Sequence, residues 1–320
     1  MWEGGNNKTE IANPARFEKK LKRAGATITV NQLAGIKKLP VMQQLRAMQN
    51  LSDNELQALD DVERLCNLEV AFLLQNLKPN TVASVITQYK KVLDTTGYKE
   101  HPYQLYFKLP TELMTIRKNT YRASVMAENK QLKPFSNETG YLNMALKLMQ
   151  SKKSYIRVAI GLCASTGRRP SEILTTAEFS KTGEYNAIFK GQLKTKGSGN
   201  ARDNYEIPLL LPADDVIEAL AVLRDKRDFS TLPVPASKTL AQVVNSKTAK
   251  SQSEAVKMYF DTFIPSPKTY NLRAIYALLC GRKHRPKTMT EQAYIASILG
   301  HSENDSTTAS SYLDFYYKED

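Results

Sequence analysis

Arg169, in the run Thr166-Gly167-Arg168-Arg169-Pro170-Ser171-Glu172, opens a series of polar groups that continues with Lys194, with Tyr270 and Arg273, with His301 and with Tyr312. Guanidiniums fork onto phosphate oxygens, a lysine can protonate a leaving oxygen, and a hydroxyl can attack phosphorus. With an imidazole among them, these residue types suit cleavage of a phosphodiester without a metal ion. No Cys/His pair has ligand spacing, and Asp60-Asp61 and Asp214-Asp215 read as solvated helix faces, so neither metal nor other cofactor is expected.

Each member also has a plainer explanation. A glycine closing an apolar run and Pro170 opening the next segment describe a helix corner with solvated arginines. Against that, an arginine directly after an apolar helix is held rigidly, and Glu172 can orient Arg169. Lys194 lies in Gly191-Gln192-Leu193-Lys194-Thr195-Lys196-Gly197, a lysine-rich hairpin tip of the kind that is often only solvated, and Lys196 competes for its role. Tyr270 and Arg273 are three apart on an incipient helix and share a face. Among so many apolar neighbours, Arg273 must be paired or hold an anion. His301 follows a C-cap glycine, where a helix-dipole partner is the commoner role. Tyr312 has close rivals in Tyr316 and Tyr317.

Something must bring these scattered groups together. Ser52-Asp53-Asn54-Glu55 is a capping box, and apolar residues from Leu56 to Leu77 recur at helical spacing. Asn80 is expected to cap a helix from Thr81 to Leu93, and Pro110-Thr111-Glu112 to start another that runs to about Glu128. The polar stretch from Glu128 to Pro134 separates two periodic regions. The chain is therefore divided into a helical domain over 1–130, a linker over 131–137 and a second domain over 138–320. In the second, helices are expected over 138–150, 155–164, 213–227, 239–263 with uncertain breaks, 270–280, 290–299 and about 306–315. Strands are expected over 185–192 and 205–211. The fold class is mainly α with a small antiparallel β-sheet.

With 320 residues, 42% of them hydrophobic, the chain can furnish a core for each domain. No run of about eighteen apolar residues occurs and the first residues lack a secretory pattern, so a soluble cytoplasmic protein with no membrane partner is expected. Cys66, Cys163 and Cys280 are far apart among apolar neighbours and read as reduced core residues. The formal net charge of +13 calls for a polyanion, and its spread over both halves implies a partner gripped by both domains. Lys90, Lys91, Arg117, Lys118 and Arg122 lie on polar helix faces, where a solvated face is the alternative to phosphate contact. Arg168 and Lys196 join them as expected DNA contacts.

The ordered set becomes specific when its neighbours are included: Ala177-Glu178-Phe179-Ser180, Tyr205-Glu206-Ile207-Pro208 and Ala296-Ser297-Ile298-Leu299-Gly300-His301 through Asn304-Asp305 to Ser311-Tyr312. Over roughly residues 150–317 the sequence resembles tyrosine recombinases and, more narrowly, telomere resolvases (protelomerases). Ordinary recombinases generally carry histidine or lysine where this chain has Tyr270, whereas several telomere resolvases are similar to it there.

The resemblance implies a helical DNA-binding domain followed by a tyrosine-recombinase-like catalytic domain. It further implies that Tyr312 attacks the scissile phosphate, forming a 3′-phosphotyrosyl link and a free 5′-hydroxyl. Arg169 and Arg273 would clamp the non-bridging oxygens, His301 and Tyr270 would add hydrogen bonds, and Lys194 would protonate the departing oxygen. The implied partner is double-stranded DNA with an inverted-repeat site bound by a homodimer, in the cytoplasm of a bacterium as a phage- or plasmid-encoded protein associated with the nucleoid. ATP and metal are not needed. Fewer residues follow Tyr312 than in many relatives, whose longer tail packs on a partner subunit, so the same tail exchange is not expected. A conventional integrase, a type IB topoisomerase and a non-catalytic DNA-binding protein are the competing readings.

Overall fold

A computed structural model describes residues 12–128, 131–193, 204–235, 238–301 and 310–319. The chain divides into two compact units, 1–121 and 122–320.

The first unit is helical: α1 (Pro14–Ala24), α2 (Val30–Lys38), α3 (Val41–Gln49), α4 (Asp53–Asn76), α5 (Pro79–Thr95), the short α6 (Tyr103–Tyr106) and the start of α7 (Thr111–Glu128). The capping box forms as expected: Ser52 accepts from the Glu55 amide while the Glu55 carboxylate accepts from the Ser52 amide. Asn80 does not cap α5. The helix starts two residues earlier, with Lys78 at the cap and Pro79 in the first turn, because proline's fixed φ suits that position and its missing N–H is not needed there. Val82, Val85, Ile86, Tyr89 and Leu93 nonetheless face inward together, against Phe17, Val62, Cys66, Leu73 and Phe107. Each such side chain, fully buried, contributes about 1.5–3 kcal/mol.

His101 sits beside this core, its ring packed between Tyr98 and Tyr103 and its Nδ1 accepting from the Tyr103 amide at 3.2 Å. Burial pulls its pKa from 6.5 down to about 4. Below its unfolded value the unfolded chain therefore binds the proton more readily than the folded one, and stability is lost as pH falls from about 6.5 towards 4. Urea denaturation across that window is expected to show a falling midpoint, and His101→Gln, which keeps an acceptor for the Tyr103 amide, is expected to flatten it.

The second unit surrounds α9 (Tyr155–Thr166), which is buried on nearly every side and packs against α8 (Glu138–Met149), α11 (Ala213–Lys226), α12 (Leu240–Phe260) and α13 (Thr269–His284). A short α10 (Pro170–Thr175) follows α9, and α14 (Glu291–Leu299) follows α13. Residues 131–137, read from the sequence as a linker, contain β1 (Lys133–Phe135).

Strands β2 (Glu178–Gly183), β3 (Asn186–Lys190) and β4 (Asn204–Pro208) form an antiparallel sheet in that order, with Phe179 opposite Phe189 and Phe189 opposite Tyr205. The expected strand pair corresponds to β3 and β4, whose buried residues alternate as Ala187, Phe189 and Tyr205, Ile207. β2 escapes sequence detection because Phe179 is its one buried residue among charged and polar ones. Phe315, expected at the end of a last helix, instead opens β5 (Phe315–Tyr317), which pairs in parallel with β1. Most of that expected helix lies outside the described residues. All three cysteines are buried free thiols, and burial pushes Cys66 and Cys280 up to about 12.

Candidate active site

The site begins where α9 stops. Gly167 closes that helix with φ 65°, in the left-handed region, and a Cβ there would overlap the Tyr276 ring. The chain turns so that Arg169 becomes the cap residue of α10, with Pro170 in the first turn. The Arg169 amide donates to Glu172 Oε2 at 2.9 Å and its Nη1 donates to Glu172 Oε1 at 2.7 Å. The same carboxylate accepts from the Leu193 amide at 3.2 Å, and Leu193 O accepts weakly from Arg169 Nη1 at 3.4 Å. Glu172 thus holds both the arginine and the exit of β3. Lys194 and Lys196 lie outside the described residues.

Arg273 reaches the same place from the first turn of α13, only 4% exposed. Its Nη1 donates to Gly167 O at 2.6 Å and its Nη2 to Leu299 O at 2.9 Å, while its Nε has no partner among the described residues. The arginine therefore bridges two helix ends, each closed by a left-handed glycine, since Gly300 terminates α14 with φ 67°. His301 follows Gly300, its amide returning to Ala296 O at 2.9 Å. The His301 and Tyr312 rings meet edge-on with centroids 5.5 Å apart, and Arg273 Cζ lies 5.3 Å from the centre of the Tyr312 ring. Burial works against the charge on Arg169, but Glu172 and then the nearby Tyr312 outweigh it and raise its pKa.

Arg169, Arg273, His301 and Tyr312 are thus brought together from four segments. Tyr270 is one turn before Arg273 but 48% exposed, with Lys268 Nζ 5.8 Å from its ring centre. The rival tyrosines belong to β5, where Tyr316 is exposed and Arg282 stacks on the Tyr317 ring at 3.6 Å.

Three guanidiniums, those of Arg168, Arg169 and Arg273, act on one buried carboxylate, that of Glu172. Burial alone would raise Glu172, but Arg273, Arg169 and Arg168 outweigh it and hold the carboxyl below its usual range. Arg273 is pulled down to about 10, by burial first and then by repulsion from Arg168 and Arg169. Buried positive charge in excess of its counter-charge is costly. A phosphate delivered to the Arg169–Arg273 pair would supply what is missing.

Residues 131–315 match the model of the telomere resolvase ResT/TelK catalytic domain. The chain belongs to that telomere resolvase family. It is 25% identical over 169 residues to the telomere resolvase ResT of Borreliella burgdorferi, a match covering 52% of this chain and 36% of that protein. It is 29% identical over 170 residues to the protelomerase of Yersinia phage PY54, covering 50% of this chain and 27% of that one. The chain thus matches about a third of the length of these relatives. Among solved structures, a variant of protelomerase TelA complexed with DNA hairpin product is similar with a TM-score of 0.72 and 23% identity, over 95% of each chain. Protelomerase TelK complexed with substrate DNA gives 0.59 and 16%, over 98% of this chain and 66% of that one. These two likenesses concern the fold: a mainly helical chain with a small antiparallel sheet.

Within this telomere resolvase fold, two arginines in sequence take opposite roles. Arg168, grouped from the sequence with DNA contacts, is 1% exposed and turned inward. It donates from Nε to Thr166 O at 3.1 Å, from Nη1 to the Tyr205 hydroxyl at 2.6 Å and from Nη2 to Ile298 O at 2.7 Å, and stacks over Phe189. These inward bonds and its 1% exposure speak against a direct phosphate contact by Arg168. Lys90 is likewise drawn in: its Nζ donates to Gln104 O at 2.7 Å, and burial lowers its pKa. Lys91 is half-buried, whereas Arg117, Lys118 and Arg122 are exposed along α7. Among the described residues no group of three or more His, Cys, Asp or Glu is placed to hold a metal ion, and no helix is long and apolar enough to cross a membrane.

Proposed function

We propose that the protein cuts and rejoins DNA, converting a replicated inverted-repeat telomere junction into two covalently closed hairpin ends through a 3′-phosphotyrosyl intermediate. The convergence of Arg169, Arg273 and Tyr312 from three separate segments carries this proposal. Tyr312 loses its phenol proton to solvent as its oxygen bonds to the scissile phosphorus; the bond to the 5′-oxygen breaks and Lys194 gives a proton to that oxygen. Arg169 and Arg273 neutralise the non-bridging oxygens, whose negative charge grows in the transition state, while His301 donates to one of them. The Nε of Arg273, without a partner among the described residues, adds a donor for that charge. Tyr270, near the mouth, supplies a neutral hydroxyl where other recombinases carry a cation.

The phosphotyrosyl ester conserves the energy of the broken bond, so rejoining needs no nucleotide. Two protomers act on opposite strands of one palindromic duplex, each strand folding back so that its 5′-hydroxyl attacks the complementary strand's ester. Bending and unstacking the duplex costs several kcal/mol, offset by phosphate contacts. The helical domain over 1–130 supplies part of that grip, with Arg117, Lys118 and Arg122 on α7 as contacts. Solved relatives held covalently to substrate DNA and complexed with a hairpin product support this reading.

Incubating one palindromic duplex with the protein tests it. Closed ends that survive denaturation are the expected product; Holliday junctions would instead identify an integrase, and relaxation of supercoils by a monomer a type IB topoisomerase.

A further inference from the structure

Among the described residues, Arg168 has no acid bonded to its side chain. Its guanidinium hydrogen bonds there go to neutral oxygens, of Thr166, Tyr205 and Ile298. A buried guanidinium is a costly way to satisfy two carbonyls and a phenol, and an apolar side chain would fill the space more cheaply. What the guanidinium adds is reach and direction, because its rigid fork ties the end of α9 to β4 and to the last turn of α14 at once.

A second route leads from Arg168 to the same turn. The Tyr205 hydroxyl, accepting from Arg168, donates to Gln192 Oε1 at 2.6 Å, and Gln192 Nε2 donates to Gly300 O at 2.7 Å. Gly300 precedes His301, and a Cβ at Gly300 would overlap both the Gln192 amide and the Tyr205 hydroxyl. The turn that presents His301 is therefore clamped on one side by Ile298 and on the other by Gly300. Both clamps originate in the residue adjoining Arg169.

On the DNA-cleavage reading above, we infer that Arg168, Tyr205 and Gln192 form a positioning brace that sets the His301 turn against Arg169 and Tyr312. None of the three touches substrate. They act through His301, whose donor must meet a phosphate oxygen already held by the arginines. A closed loop of bonds fixes that distance better than any single contact, and misplacement of a donor by about 1 Å is enough to lose on the order of a hundred-fold in rate.

The test is single-turnover formation of the covalent adduct on a nicked palindromic duplex. Tyr205→Phe keeps the ring edge-on to Phe189 and removes only the relay hydroxyl; Gln192→Ala removes the link to Gly300. Each is expected to slow adduct formation roughly ten-fold while DNA affinity stays close to that of the unaltered chain; Tyr205→Phe also lowers the melting temperature, because Arg168 Nη1 loses its acceptor, but leaves the protein folded under the assay conditions. In a His301→Ala background neither is expected to add a loss, because the group they position is gone. Arg168→Lys keeps a charge but cannot span Tyr205 and Ile298, and is expected to lose more; should it not fold, the two milder variants decide. Unaltered adduct rates in folded Tyr205→Phe and Gln192→Ala, or the same fold-loss repeated on His301→Ala, would overturn the brace. An unaltered chain that forms no adduct at all would overturn the DNA-cleavage reading itself.

Discussion

Phenylalanine in place of Tyr312 leaves a protein that binds palindromic DNA but forms neither adduct nor closed ends, with cleavage lower by on the order of a thousand-fold or more. The substitution removes one oxygen and little else. The ring remains free to lie edge-on to His301 and beneath Arg273, contacts that involve its carbon face. Arg169 loses the phenol oxygen as a neighbour but keeps its bonds to Glu172 and Leu193, so the corner after α9 stays in place. Affinity for the duplex rests on phosphate contacts spread over the chain and is expected to change little. A denaturing gel for the adduct, a binding isotherm and a melting curve on the same preparation separate the three effects. An undiminished adduct in the variant would move the nucleophile to Tyr316 or Tyr317. Loss of nothing measurable would make the protein a binder that has kept the fold.

What could be read along the chain was whatever a single segment decides for itself. The capping box at Ser52–Glu55, the inward stripe of α5 and the alternation in β3 and β4 are local patterns, and the structure carries all three. β2 could not be read because Phe179 alone faces the core, and β1 and β5 are three-residue strands that exist only by pairing with each other. At the site, Arg169, Arg273, His301 and Tyr312 each had a plainer reading when taken alone, and Tyr312 had rivals in Tyr316 and Tyr317; their order along the chain and the resemblance to telomere resolvases singled them out. The division of labour between Arg168 and Arg169 did not stand out. Both follow Gly167, and which one turns inward is decided by Tyr205 and Ile298, far along the chain. Gln192 and Tyr205 fell within motifs noted for their neighbours, yet their bond to each other and to Gly300 depends on how β3, β4 and α14 meet.

Arg273→Lys is expected to be nearly as damaging as loss of the nucleophile, although it preserves formal charge. The guanidinium spans Gly167 O and Leu299 O with two separate nitrogens, and its Nε has no partner among the described residues. An ammonium is a single point of donation and cannot reach both carbonyls, so at least one buried carbonyl is left unpaired, at roughly 1–3 kcal/mol in stability. The charge is also less secure. Burial with Arg168 and Arg169 nearby already brings Arg273 down to about 10. A lysine starts lower than an arginine, and the same surroundings push it further towards the neutral amine. The transition state then meets one firm cation instead of two, for an expected loss of on the order of a thousand-fold in cleavage, or about 4 kcal/mol of barrier. Because a deprotonated lysine regains its proton as pH falls, the deficit relative to the unaltered chain should shrink at lower pH. Adduct formation measured on both proteins at several pH values, above the range in which His101 destabilises the first unit, checks this. A constant deficit would assign the whole loss to geometry, and an intact rate would remove Arg273 from the phosphate clamp.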